Sequence, residues 1–193
     1  MIGGQWERWV LQAGEKRAWN LERRSAAEPA VCQGHGWVKS PAGFNLLRWT
    51  EDALLAWSFA DAADSSTEPS PRDDSRAREL AERFWAAAPG SSLTLAVGGT
   101  AFQFEVWAAL IEVGPGTVVT YSEIARRLGR PKAARAVGSA VGANALACVI
   151  PCHRVVPRNG MSKGYAWGLE RKNCLLAQER FLNGSGTACA GTP

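Results

Sequence analysis

Residues 120–155, TYSEIARRLGRPKAARAVGSAVGANALACVIPCHRV, decide the fold. Thr120 followed by Glu123 is a capping box, which starts a helix through Ile124 and Ala125 to Leu128. Gly129 ends that helix, and Pro131 stands where a first-turn proline belongs, so a second helix is expected from Lys132 to about Ala143. Two short helices joined by Gly-Arg-Pro make a helix-turn-helix. The second helix, KAARAVGSAVGA, is almost all small. Val137 and Val141, one turn apart, supply a core stripe, and Arg135 is the long side chain in the middle of the small face. A helix that reads the major groove carries several polar side chains. This one suits a close, sequence-tolerant approach through the minor groove, and the alternative for it is a tightly packed buried helix.

Immediately downstream an apolar run, ALACVI, leads into Pro151-Cys152-His153-Arg154-Val155. A free thiol titrates near about 8.5 and is a weak nucleophile at neutral pH. A neighbouring imidazole can take its proton, and a carboxylate can orient that imidazole. Glu179 is the best-placed carboxylate. It lies on the helical stretch GLERKNCLLAQERF (168–181), on one face with Leu169, Lys172, Leu175 and Leu176, and an inward Glu demands a partner.

Upstream, Gly98-Gly99 divides the chain. Thr100 and Gln103 form another capping box, ahead of Phe102, Val106, Trp107, Leu110 and Ile111, and this helix stops near Gly-Pro-Gly at 114–116. Before the division, residues 37–61 read as β-like runs around SPAG and TED. Residues 62–75, AADSSTEPSPRDDS, are a loop by composition. A helix follows from Asp74 to Ala88, stopped by Pro89-Gly90, and SSLTLAV (91–97) reads as a strand. Residues 1–36 show no sustained period, and no structure is assigned to them. The organisation expected is α+β: an unassigned extension (1–36), a small N-terminal α/β domain (37–98), a mainly helical domain (99–183) and a tail (184–193).

Composition narrows the class. The 193 residues are 46% hydrophobic and 21% charged, which excludes a disordered charged tail or a collagen-like repeat. Nothing approaches about 18 uninterrupted apolar residues, so no membrane partner is expected. Glu7, Arg8, Glu15 and Lys16 occupy the N-terminus where a signal peptide needs an apolar core, which predicts a cytoplasmic protein. The five cysteines cannot all pair and form no CxxC, and with only two histidines a metal finger is not expected. Residues 1–100 carry 11 Lys/Arg against 13 Asp/Glu, and residues 101–193 carry 11 against 5. The positive field therefore lies on the second half, where a polyanion would dock.

PCHRV, together with Tyr121-Ser122, KAARAVG, Asn144 and GYAWGLERKNCLLAQE, resembles the O6-alkylguanine-DNA alkyltransferases. The likeness runs over roughly residues 100–182 without an evident gap, and residues 37–97 resemble the family's smaller N-terminal domain, beginning at VKSPAG. The resemblance implies a C-terminal domain with a winged helix-turn-helix-like motif. It also implies irreversible transfer of the O6 alkyl group from guanine in double-stranded DNA to Cys152, after the base is flipped out of the duplex. His153 then acts through a water on Cys152, Glu179 orients His153, and Asn144 holds the active turn. Tyr121 donates a proton to the guanine, and Arg135 fills the gap that the base leaves. Ala133, Ala134, Gly138, Lys132 and Ser122 would meet the minor groove, while Val141, Val155, Tyr165, Ala166 and Trp167 would wall the base pocket. O4-methylthymine stays open as a further substrate, and a monomer is expected, nucleoid-associated in a bacterium or nuclear in a eukaryote.

Some family members have Gly at the position of Trp167, a polar residue at that of Ala166 and Arg at that of Gly142. The N-terminal domain of some relatives binds a structural zinc through Cys and His, but Cys32 and His35 alone do not rebuild that site, so neither metal nor cofactor is expected. A related non-enzymatic group carries Trp in place of the nucleophile, which Cys152 argues against. The alternatives are a silent lesion binder and a helix-turn-helix transcription regulator with an incidental cysteine.

Overall fold

A computed structural model describes residues 19–24, 31–40, 42–61, 68–86, 93–159 and 164–182. The expectations for residues 184–193, for most of 1–36, for 62–67 of the 62–75 loop, and for 87–92 at the end of the following helix and the start of the next strand lie outside the described residues. The chain divides into two compact units, Met1–Gly98 and Gly99–Pro193.

The first unit is built on a five-stranded sheet in the order β1-β5-β4-β3-β2. Strands β2 (Gly34–Ser40), β3 (Gly43–Trp49) and β4 (Ala53–Ala60) form an antiparallel meander. Its first turn needs Gly43, whose φ of 113° is a conformation that side-chain-bearing residues avoid. The second turn closes through Thr50, whose hydroxyl accepts from the Ala53 N–H at 3.1 Å. Helix α1 (Asp74–Ala86) buries Ala77, Leu80, Ala81 and Phe84, and Phe84 meets Trp57 edge-on at 5.4 Å. Its approach is close enough that a Cβ on Gly36 would fall 2.8 Å from the Ala77 Cβ.

The structure adds two features to the reading of residues 1–36. Strand β1 (Trp19–Arg24) pairs in parallel with β5 (Leu93–Gly98), and β2 begins at Gly34. A parallel strand takes its partner from far along the chain, here some seventy positions away, so local periodicity carries little trace of it.

The second unit holds α2 (Ala101–Ile111), α3 (Tyr121–Arg127), α4 (Ala134–Gly142) and α5 (Leu169–Leu182). Both expected capping boxes form: Thr100 with Gln103 and Thr120 with Glu123. Val106, Trp107 and Leu110 of α2 are buried with Val137, Ala140 and Val141 of α4, and the Trp107 indole donates to the Ala140 carbonyl at 2.9 Å. Strands β6 (Val119–Thr120) and β7 (Val155–Val156) pair in parallel, Val119 opposite Val155. That short ladder brings the start of α3 beside the Cys152 turn.

One helix start is corrected. Gly129, at φ +70°, ends α3 as expected, but α4 begins at Ala134 rather than Lys132. Pro131 and Lys132 are the middle of a turn closed by the Ala133 N–H on the Arg130 carbonyl at 2.9 Å. The fixed φ of proline suits the second residue of a turn as well as a helix start, and here the turn prevails.

Candidate active site

The chain from Asn144 to Ile150 is irregular, and one side chain braces it. The Asn144 amide donates to the Ile150 carbonyl at 2.9 Å and the Leu146 carbonyl at 3.3 Å, while its own oxygen accepts from the Leu146 N–H at 2.9 Å. Three backbone groups that no helix or strand satisfies are thereby paired inside the protein. Cys148 sits within this turn at φ +65°. It is buried, and burial pushes its thiol well above the usual range, as expected of an inert structural cysteine.

A single 3-10 turn, Cys152–Arg154, follows. Cys152 is 2% exposed, and its thiol donates to the Tyr165 hydroxyl at 3.7 Å. Burial raises the thiol pKa, against the opposing effects of Asn144, Tyr165 and Lys172. Cys152 therefore rests as a thiol and needs a base before it can attack.

Behind it stands a chain of charge-bearing groups. His153 Nε2 lies 2.7 Å from Glu179 Oε1, with both side chains buried. Arg154 forks onto the same carboxylate: Nε donates to both oxygens at 3.0 and 3.1 Å, and a terminal nitrogen donates to Oε1 at 2.7 Å. The other terminal nitrogen of Arg154 donates to the Val113 carbonyl, and the Gly116 N–H donates to Glu179 Oε2 at 3.1 Å. Burial would raise the Glu179 pKa, but His153 and Arg154 prevail and hold it down at about 2. The carboxylate is thus ionised, so His153 presents Nε2–H to it. Burial lowers the His153 pKa despite the pull of Glu179, which leaves a neutral imidazole. Its Nδ1 is buried and has no partner among the described residues.

In front of the thiol is a cavity of about 210 Å³. Tyr121, Gly138, Val141 and Gly142 line it together with Cys152, Gly164, Tyr165, Ala166, Trp167 and Lys172. Tyr165 and Trp167 meet edge-on at 5.4 Å. Burial, then Cys152, raises the Tyr121 pKa, so its phenol keeps its proton. The structure thus brings Tyr121, Val141, Cys152, Tyr165, Ala166 and Trp167 to one cavity. It places Asn144, His153 and Glu179 behind that cavity. Val155 is fully buried in β7 and does not line the cavity; its carbonyl instead accepts from Lys172 Nζ at 2.7 Å.

Along α3 and α4 a second surface opens. Arg126, Arg127, Lys132 and Arg135 are exposed, and Ser122, Ala133, Ala134 and Gly138 are partly so. Arg130, also exposed, pairs with Glu105 at 2.8 Å and lies over the Phe102 ring at 5.2 Å.

Two side chains of the site are given no role by spacing alone. Arg154 forks onto Glu179, and Lys172, only 1% exposed, reaches the cavity with its ammonium 5.8 Å from the Tyr165 ring centre. The signal for Lys172 is its place on the inward face of the last helix, since a buried lysine needs a partner as much as a buried glutamate does. Leu169, expected on that face, is 38% exposed.

A buried thiol backed by an imidazole–carboxylate–guanidinium chain, at the floor of a small cavity on a helix-turn-helix unit, is a narrow class of site. Residues 101–181 match the family described as 6-O-methylguanine DNA methyltransferase, DNA binding domain. A methylated-DNA–protein-cysteine methyltransferase of Salmonella typhimurium is 54% identical over 91 residues, which are 47% of this chain and 53% of that protein. The chain thus spans about half the length of that relative. The enzyme of the same name from Methanosarcina acetivorans is 40% identical over 147 residues, 73% of this chain and 94% of the relative. Among solved structures, the Mycobacterium tuberculosis OGT in complex with DNA superposes with a TM-score of 0.64 at 32% identity, covering 77% of this chain and 94% of that one. The chain belongs to the methylated-DNA–protein-cysteine methyltransferase family.

Proposed function

We propose that the protein is a single-turnover DNA repair transferase that moves the methyl group of O6-methylguanine in duplex DNA onto Cys152. The observation that carries this reading is the seat of Cys152, at the cavity floor with a neutral His153 and an ionised Glu179 behind it. The thiol proton passes to His153 Nδ1 through a water, and the imidazolium that forms is stabilised by Glu179. The thiolate attacks the methyl carbon in line, so the S–C bond forms as the O6–C bond breaks. The electron pair of the broken bond goes to the guanine, which takes a proton from the Tyr121 phenol, and the His153 imidazolium returns the thiol proton through solvent to the tyrosinate, so both residues end neutral. The thioether is stable, and the protein is spent.

DNA docks as the duplex, and a monomer suffices. The α3–α4 pair acts as a winged-helix-like reader that lays its small-residue face, Ala133, Ala134 and Gly138, along the minor groove. Ser122 and Lys132 flank it. The O6 substituent of a stacked base cannot reach a buried thiol, so the nucleotide must be flipped into the cavity, and exposed Arg135 fills the space left behind. The name of the Mycobacterium tuberculosis complex supports DNA as partner. O4-methylthymine offers the same alkyl–oxygen bond and is the natural second substrate to assay.

Intact mass measured after mixing with an O6-methylguanine duplex tests the reading. A gain of one methylene, mapped by digestion to Cys152 and lost in Cys152→Ala, is expected. Binding without a gain assigns the protein to silent lesion binding. Sequence-specific binding without lesion preference assigns it to transcription control.

A further inference from the structure

His153 poses an electrostatic problem. A carboxylate 2.7 Å from an imidazole, taken alone, favours the imidazolium, which has no lone pair with which to accept a thiol proton. Orienting His153 with Glu179 and keeping its ring unprotonated are therefore opposing demands. We propose that Arg154 reconciles them as a positioning residue, its guanidinium fixing the Glu179 carboxylate and offsetting its charge, so that His153 stands as a neutral base with the Nδ1 lone pair available. The inference rests on the transfer mechanism proposed above and adds the residue that sets its proton acceptor.

The geometry is specific. Arg154 spends Nε and one terminal nitrogen on the two carboxylate oxygens and its other terminal nitrogen on the Val113 carbonyl. Planar, rigid donors of this kind hold a carboxylate in one orientation, which a lysine does not. With the Gly116 N–H on Oε2, Oε1 is left aimed at His153 Nε2. The side chains of His153, Arg154 and Glu179 are all 5% exposed or less, so water screens none of these charges effectively. The charged groups acting on His153 are Glu179 and Lys172 from α5 and Arg154 from its own turn. Burial lowers its proton affinity most, Glu179 raises it, and Arg154 and then Lys172 lower it further. Cys152 and Cys148, the nearby thiols, are held neutral by burial. The site thus carries one carboxylate against two cations among the described residues, and of the two cations it is Arg154 that touches the carboxylate.

The full chain holds only two histidines, His35 and His153, so its imidazole nitrogen NMR spectrum resolves the question directly. In the unaltered protein His153 is expected to be neutral at pH 7, protonated at Nε2, with its titration below the ordinary value of about 6.5. In Arg154→Gln the titration should move up by about one pH unit or more. The acid limb of single-turnover methyl transfer should move with it, costing about tenfold in rate at pH 6 relative to the plateau. Arg154→Lys, which keeps the charge but not the fork, should recover most of the titration shift. A folded Arg154→Gln with His153 titration and acid limb unchanged overturns the proposal. So does a His153 that is cationic at pH 7 in the unaltered protein, which needs no variant to fold. The NMR measurement uses no DNA, so failure of methyl transfer at Cys152 would sink the transferase reading and leave the Arg154 test standing.

Discussion

Replacing Glu179 by Gln removes one buried negative charge and leaves all its donors in place. The Arg154 guanidinium, 5% exposed in its side chain, then has only an amide oxygen to face. The magnitude follows from linkage. The carboxylate titrates at about 2 in the fold against 4.5 for an ordinary one, and at 1.36 kcal/mol per pH unit this is about 3 kcal/mol of stability at neutral pH. Stranding one partner of a buried pair costs about 3–5 kcal/mol, which agrees. The sign is that of a depressed carboxylate: the stabilisation is complete above about pH 5 and is lost as pH falls from about 4.5 towards 2. At pH 3.5 roughly a third to a half of it is gone, so the gap between wild type and Glu179→Gln should narrow from about 3 to about 2 kcal/mol. Urea titrations at pH 7 and pH 3.5 measure this, followed at the Trp107 indole N–H, which is buried against Ala140 in the same unit. Methyl transfer, measured in parallel at pH 7, should slow by about ten- to a thousandfold, the scale of general acid–base assistance. Equal stabilities at pH 7, or a gap that does not change with pH, would refute the buried-charge argument.

Arg135→Ala should impair repair of duplex O6-methylguanine more than reaction with the free base or a short single strand, because only a duplex pays the few kcal/mol of flipping that an inserted side chain offsets. Equal losses on both would place Arg135 in folding or chemistry instead. Trp167 occupies part of the wall of a cavity of about 210 Å³, so a benzyl group should be strained there by about 1–3 kcal/mol. Trp167→Gly should therefore speed inactivation by free O6-benzylguanine by about ten- to a hundredfold while changing methyl repair much less, and identical inactivation rates would remove the indole from the pocket's selectivity. Affinity for undamaged DNA should fall steadily with added salt as Arg126, Arg127 and Lys132 release counterions from phosphates; a flat titration argues against that face as the docking surface.

Much of this site was legible because its signals are local. Thr120 and Glu123 sit three residues apart and cap the helix that Tyr121 opens, whatever the rest of the chain does. Gly129 declares its helix end through backbone freedom alone. The adjacency of Cys152 and His153 is covalent, and the inward phase of Glu179 follows from helical periodicity. Pro131 marks the limit of such reasoning, since the same fixed φ serves a turn or a helix start and only the Arg130–Ala133 hydrogen bond decides between them. What the tertiary structure alone decided are the pairings between distant positions. Strand β1 finds β5, Arg154 finds Glu179, Lys172 turns to the Val155 carbonyl, and Val155 leaves the pocket wall to support it. These depend on which buried charge or unpaired backbone group lies within about 3 Å once the chain has closed. No sequence period encodes that distance, because burial makes each polar group take whichever partner the packed fold brings to it.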